Sequence, residues 1–227
     1  MLVLKYVKQG GSRFISHIDL LRHSSRIIRR AGIPVKYSNG FNPHALVFFS
    51  PPLVLGAGSL AEYISIDTDI SAEELFERYN AAVSQDMRAT RVFTCEKNPN
   101  LQGRIVAADY VFPMDYTEID LSKEFIVEYE KKGERVSENV ADKIFAAEKY
   151  IDGADSKSDR SNGLSPQDGS LLLRLATGNV NLRPDRVITE LNRRYGLDMR
   201  VSYIVKVRQY VSVDGELIEA DEYLGSL

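Results

Sequence analysis

An α+β fold is what this sequence of 227 residues predicts, and three observations predict it. Over residues 1–97, alternating apolar runs and two amphipathic stretches follow one another as strand, helix, strand, strand, helix, strand. The polar stretch KNPNLQGR, residues 97–104, then reads as a linker. Beyond it a similar order partly repeats. The order is that of a ferredoxin-like βαββαβ unit, an antiparallel sheet with its helices on one face. The expectation is therefore two tandem units, residues 1–97 with a basic helix and a divergent copy over residues 105–227.

Leu2 to Lys8 alternates and forms the first strand, which Gly10-Gly11 turns into a helix. Ser16 is placed to cap that helix, with Asp19 three residues on. Gly32 stops it and Pro34 prevents its resumption. At the helical period Leu20, Leu21, Ser24, Ile27, Ile28 and Ala31 share one face, and Arg22, His23, Arg26, Arg29 and Arg30 the other. Residues 45–50 and Leu60 to Asp67 form the next two strands, the first ended by Pro51-Pro52. Ser71 caps a second helix that runs through Leu75, Tyr79 and Ala82, and Met87 to Cys95 is the fourth strand.

In the second unit the spacing predicts a strand at Val106 to Met114, a helix at Ser122 to Lys131, and a strand at Ser170 to Ala176. A helix at Pro184 to Tyr195 is stopped by Gly196, and a long strand runs from Met199 to Val213 into an Asp214-Gly215 hairpin turn. Val140, Ile144, Ala147 and Ile151 keep helical spacing where the fold calls for an extended segment. Residues 152–169 hold almost no apolar side chain and read as a mobile surface loop.

Composition removes several functions. Cys95 is the single cysteine, which excludes a disulfide framework, a cysteine-rich zinc site and a three-cysteine iron–sulfur motif. No phosphate-binding glycine loop and no nucleophile elbow occurs, and no cofactor is expected. The start, MLVLKYVKQGG, lacks the long apolar run of a signal peptide, and prolines and glycines break the uncharged residues 37–61 into short pieces. A cytoplasmic protein without a membrane segment is the expectation.

Charge is unevenly spread. The formal net charge is −3, yet residues 1–50 carry eight Lys and Arg against Asp19 alone, and the rest of the chain is acidic. Such a basic region suits phosphate or an acidic protein surface. Arg13, Arg22, Arg26, Arg29, Arg30 and Lys36 are the candidate anion-binding residues, with the plain alternative of a solvated face. The turn-rich loop Tyr37-Ser-Asn-Gly-Phe-Asn-Pro-His44 presents Phe41, Asn42 and His44. Phe41 is either a stacking surface or a core plug, and the core role is the expected one. His17, Asp19 and His44 have the chemistry of a divalent-metal or acid–base set. In the plainer reading His17 packs on the apolar face, Asp19 caps, and no metal is held.

The string RFISHIDLLR, followed by RRAGIPVKYSNGFNPHALVFFSPPLVLG and AEYISI, resembles a bacterial family of uncharacterised radical-SAM-linked proteins. Its pattern is close to RFLSHLDLMR and then RRAGLPVAYSQGFHPHP, and the match runs over about the first 95 residues. Arg183-Pro184-Asp185 resembles the family's second half, which otherwise matches loosely. Asn42 stands where the family carries a histidine. The resemblance implies a radical-SAM protein as partner. With the basic face, it suggests a non-catalytic accessory protein that binds or presents RNA. Two alternatives remain open. One is a ferredoxin-like endoribonuclease similar to the repeat-associated RNA-processing proteins, with His17 or His44 as general base. The other is a module that binds protein alone.

Overall fold

The computed structural model describes residues 1–151 and 166–227. Most of the loop expected over residues 152–169 therefore lies outside the described residues. The chain runs β1 (Leu2–Lys8), α1 (His17–Arg30), β2 (Val47–Phe49), β3 (Gly58–Ile66), α2 (Ala72–Ala82), β4 (Ala89–Thr94), α3 (Leu101–Arg104) and β5 (Ile105–Asp115). It continues through β6 (Ile126–Lys131), β7 (Glu134–Asn139), β8 (Ile144–Lys149), β9 (Ser170–Ala176), α4 (Pro184–Tyr195), β10 (Val205–Val213), β11 (Glu216–Glu219) and α5 (Ala220–Gly225). The architecture is α+β, built on one large and mostly antiparallel sheet. None of the described helices is long and apolar enough to cross a membrane.

The main strand order is β4-β1-β3-β10-β5-β9-β8, with β2 on β3 and β11 on β10. The first half of the chain supplies β4, β1, β3 and β2, and the second half β10, β5, β9 and β8. They join at the edge of β3. Antiparallel β2 takes Ile64 to Ile66 of that edge, and parallel β10 takes Gly58 and Ser59 through Val205 and Lys206 respectively. The expected linker is a helical turn, α3, whose Leu101 is buried with Val3, Tyr63 and Val211.

Capping and periodicity act locally as expected. Ser16 Oγ accepts the Asp19 amide at 3.2 Å, and Ser71 Oγ accepts that of Glu74 at 3.1 Å. Leu20, Ile27 and Ile28 of α1 pack with Leu75 and Tyr79 of α2 on Leu2, Leu4, Tyr6, Ile64 and Ile66 of the sheet. Val187, Ile188 and Leu191 of α4 cover Ala108, Tyr110, Phe112 and Leu171, Leu173 and Leu175 of β9. The alternate residues of β1 and β3, Val3, Ala61 and Tyr63, face the opposite side and meet Ala220 and Leu224 of α5. The C-terminal helix is tied to the N-terminal strands by Asp221, which accepts from Lys5 Nζ and Tyr63 Oη, each at 2.7 Å.

Two expectations fail in the second half. The helix expected at Ser122 to Lys131 is instead β6, the first arm of a separate hairpin with β7. Phe125, Val127 and Tyr129 point one way with period two, and Lys132 and Gly133 both adopt positive φ, 55° and 84°. That is the two-residue turn whose twist matches a hairpin, and it overrides the capping signal of Ser122. The hairpin meets α4 through Arg186, over the Tyr129 ring at 3.4 Å, and Arg194, over Phe125 at 4.3 Å.

The helical spacing of Val140, Ile144, Ala147 and Ile151 likewise belongs to no helix, because residues 144–149 are β8. The pairing of β8 with β9 slips between Ile144 and Ala146. The irregularity puts two residues three apart, Ile144 and Ala147, against the same core. A bulged strand thus imitates a helical period. The long C-terminal strand begins at Val205, after a 3-10 turn over Val201–Tyr203.

Candidate functional site

Helix α1 exposes Arg22, Arg26, Arg29 and Arg30 because its other face is committed to the core. The structure sorts these cations by partner. Arg22 meets Asp19 at 3.4 Å, Arg30 donates to the Ala82 carbonyl, and Arg13 donates to the carbonyls of Gly10 and Ser202. Lys36 sits between Asp67 at 3.5 Å and Asp69 at 2.6 Å. Arg26 and Arg29 form no ion pair among the described residues. They lie on the exposed side of the helix and are the cations most available to a ligand. Burial first, then the charges of Arg30 and Arg26, lowers the pKa of His23 between them.

The segment after α1 is laced to the sheet edge. The Lys36 amide donates to the Asp67 carbonyl, the Leu46 amide to the Lys36 carbonyl, and Tyr37 bridges Ala45. Ser38 closes the loop: its amide donates to the His44 carbonyl, and its Oγ accepts the His44 amide at 3.1 Å and lies 2.8 Å from His44 Nδ1. What remains at the tip is Asn39 to Asn42, with Gly40 at φ 125°. Phe41 is fully exposed there, which corrects the expected core role. The tight Ser38–His44 closure leaves the tip no route back to the core. Tyr37 is 62% exposed. Between loop and helix lies a groove of about 380 Å³, lined by Ser25, Arg29, Tyr37, Pro43 and His44 among others.

His17 stands elsewhere. It is half-buried at the start of α1, with its ring edge-on to Phe49 at 6.5 Å between centroids. Burial lowers its pKa, the Glu62 carboxylate opposes that, and Lys8 reinforces it. Asp19 is engaged by the Ser16 hydroxyl at 2.7 Å and by Arg22. Among the described residues no group of three or more His, Cys, Asp or Glu side chains is placed to hold a metal ion, so His17, Asp19 and His44 do not converge as such a set.

Two charge clusters escaped sequence reasoning. Where the halves join, Lys206 and Glu62 form an ion pair at 2.6 Å with side chains 2% and 4% exposed. Buried Lys8 is anchored nearby on the Ile15 carbonyl at 3.0 Å. The opposite face of the second half holds fully buried Asp109, which accepts from Arg174 at 2.8 and 3.2 Å and from Tyr210 Oη at 2.6 Å. The signal was present for both. Lys8, Glu62, Lys206 and Asp109 are charges inside otherwise apolar strands.

Fold and surface together define an α+β protein with a groove lined by Arg29 and the exposed ring of Tyr37. The chain belongs to a family described as uncharacterised proteins conserved in bacteria (DUF2344), whose model matches residues 1–184. No curated protein matches the chain.

Proposed function

We propose that this protein is a non-catalytic accessory protein that holds single-stranded RNA on the face formed by α1 and the loop after it. The observation that carries the reading is the groove lined by Arg29 and the exposed Tyr37, with Arg26 unpaired on the same helix among the described residues and Phe41 exposed at the tip of the loop that follows. Guanidinium groups hold backbone phosphates without reading sequence, and exposed rings stack on bases. Arg22 adds a weaker contact, because its pairing to Asp19 is solvent-exposed and readily exchanged. The partner is a radical-SAM enzyme by the resemblance of the first half, and the protein presents RNA to it. In this reading the body is a ferredoxin-like pair. The strand orders β4-β1-β3-β2 and β10-β5-β9-β8 support it, with the β6–β7 hairpin in place of the second unit's first helix.

The test is a fluorescence-anisotropy titration of a labelled single-stranded RNA at several salt concentrations. Three phosphate contacts predict a slope of log affinity against log salt of about −2. The Arg26→Glu, Arg29→Glu variant should lose most of the binding while keeping its thermal unfolding midpoint. A salt-independent affinity, or one untouched by that variant, removes the basic face from the function. A complementary pull-down from nuclease-treated native lysate should retain a radical-SAM protein, and its absence removes the partner from the reading.

A further inference from the structure

We propose that the crevice where the two halves of the sheet meet accepts a single unstacked nucleobase of the bound strand, an inference that rests on the RNA reading above. The crevice, about 280 Å³, is lined by Leu53 and Leu55 after β2, by Asn181, Arg183 and Pro184 at the start of α4, and by Tyr110 of β5. Tyr110 is 4% exposed. Its hydroxyl makes no hydrogen bond among the described residues, and what acts on it is burial and the more distant Glu62 carboxylate. Both push its pKa up, so it remains a protonated donor. The hydroxyl is not enclosed: it reaches the crevice and is placed to donate to whatever enters.

The charges around the crevice decide what that is. Arg183 is held by Asp185 through two contacts, at 3.0 and 2.6 Å. Lys206, the register partner of Tyr110, is neutralised by Glu62. A phosphate or carboxylate therefore finds no uncommitted cation among these groups. What the crevice offers is the Tyr110 hydroxyl and the Asn181 amide beside leucine and proline surface. That combination suits a flat, uncharged heterocycle with a hydrogen-bonding edge, as when an unstacked base is read by a protein pocket. The volume falls just below the range of about 300–1,000 Å³ usual for drug-sized ligands, which leaves room for one base. The two sites share a segment: Ala45 and Val47 line the groove beside α1, and Leu53 and Leu55 line the crevice. Six residues separate Val47 from Leu53, so at about 3.3 Å per residue they lie at most about 20 Å apart, within reach of a short strand.

The experiment uses the full chain and two probes: a short labelled single-stranded RNA, and adenosine, guanosine, cytidine and uridine, which carry no phosphate. Nucleoside binding is followed by NMR chemical-shift titration, and RNA binding by anisotropy. Wild type should bind at least one nucleoside saturably, and Tyr110→Phe, which removes one oxygen from a buried ring, should weaken that binding about tenfold. Asn181→Ala, at an exposed site, should weaken it as well. The Arg26→Glu, Arg29→Glu variant should leave nucleoside binding unchanged and lose the RNA. No saturable nucleoside binding, or binding indifferent to both Tyr110→Phe and Asn181→Ala, overturns the crevice proposal whatever the RNA does. Saturable nucleoside binding in a wild-type protein that ignores RNA overturns the RNA reading instead, and marks the crevice as a site for free nucleosides.

Discussion

Replacing Glu62 by glutamine removes the carboxylate that Lys206 faces at 2.6 Å, with both side chains almost fully buried. Two buried cations then remain, Lys206 and Lys8, the latter within the electrostatic reach of both Glu62 and Lys206. Breaking one side of a buried pair costs about 3–5 kcal/mol, because the remaining charge stays desolvated without compensation. Glu62→Gln should fall at the upper end of that range, since it leaves repulsion as well as an orphaned charge. Lys206→Met should cost less, at the lower end of about 3 kcal/mol, because Lys8 still balances Glu62. The double variant Glu62→Gln, Lys206→Met should be milder than the sum of the two. Urea denaturation followed by circular dichroism measures all three. A Glu62→Gln protein within about 1 kcal/mol of wild type, or a Lys206→Met protein less stable than Glu62→Gln, refutes the reasoning, since either means that the junction charges are solvated.

Other consequences are local. Gly178 has φ +79°, and a Cβ there would lie 2.7 Å from the Ile105 carbonyl oxygen. Gly178→Ala should therefore cost at least about 1–2 kcal/mol from the left-handed conformation alone, and an unchanged urea midpoint would contradict the geometry. Ser71→Ala removes the acceptor of the Glu74 amide and should cost about 1 kcal/mol in the same assay. His17 and His23 both have pKa values lowered by burial from the usual 6.5. In the window below 6.5 the unfolded chain binds protons that the fold resists, so their contribution is full above it and is lost as pH falls through it. Between about pH 7.5 and about pH 5.5 the wild type should lose more stability than a His17→Gln, His23→Gln variant, and equal losses would count against this origin.

What the sequence determined by itself is what depends on near neighbours in the chain. The two-faced pattern of α1, its Ser16 cap and its Gly32 stop were legible because helix period and capping act within a few residues. So was the exposure of Arg22, Arg26, Arg29 and Arg30, which follows from the burial of Leu20, Ile27 and Ile28. Residues 122–151 were read wrongly on the same local terms. The Lys132-Gly133 turn and the slip between Ile144 and Ala146 outweighed the helical signals there, and strand pairing against β7 and β9 settled the outcome.

Tertiary structure alone decided which cations stay free. Asp67 and Asp69, about thirty residues from Lys36, hold it, and the Ala82 carbonyl holds Arg30, while Arg26 and Arg29 meet no such neighbour among the described residues. It also sent Phe41 outward, because Ser38 and His44 close the loop beneath it. The junction charges and the open hydroxyl of Tyr110 come from β3, β5 and β10: β5 and β10 pair within the second half, and β3 meets β10 only when the two halves close into one sheet. Charge pairing and burial are properties of distance in space, and a linear chain records distance only where its backbone is locally stiff.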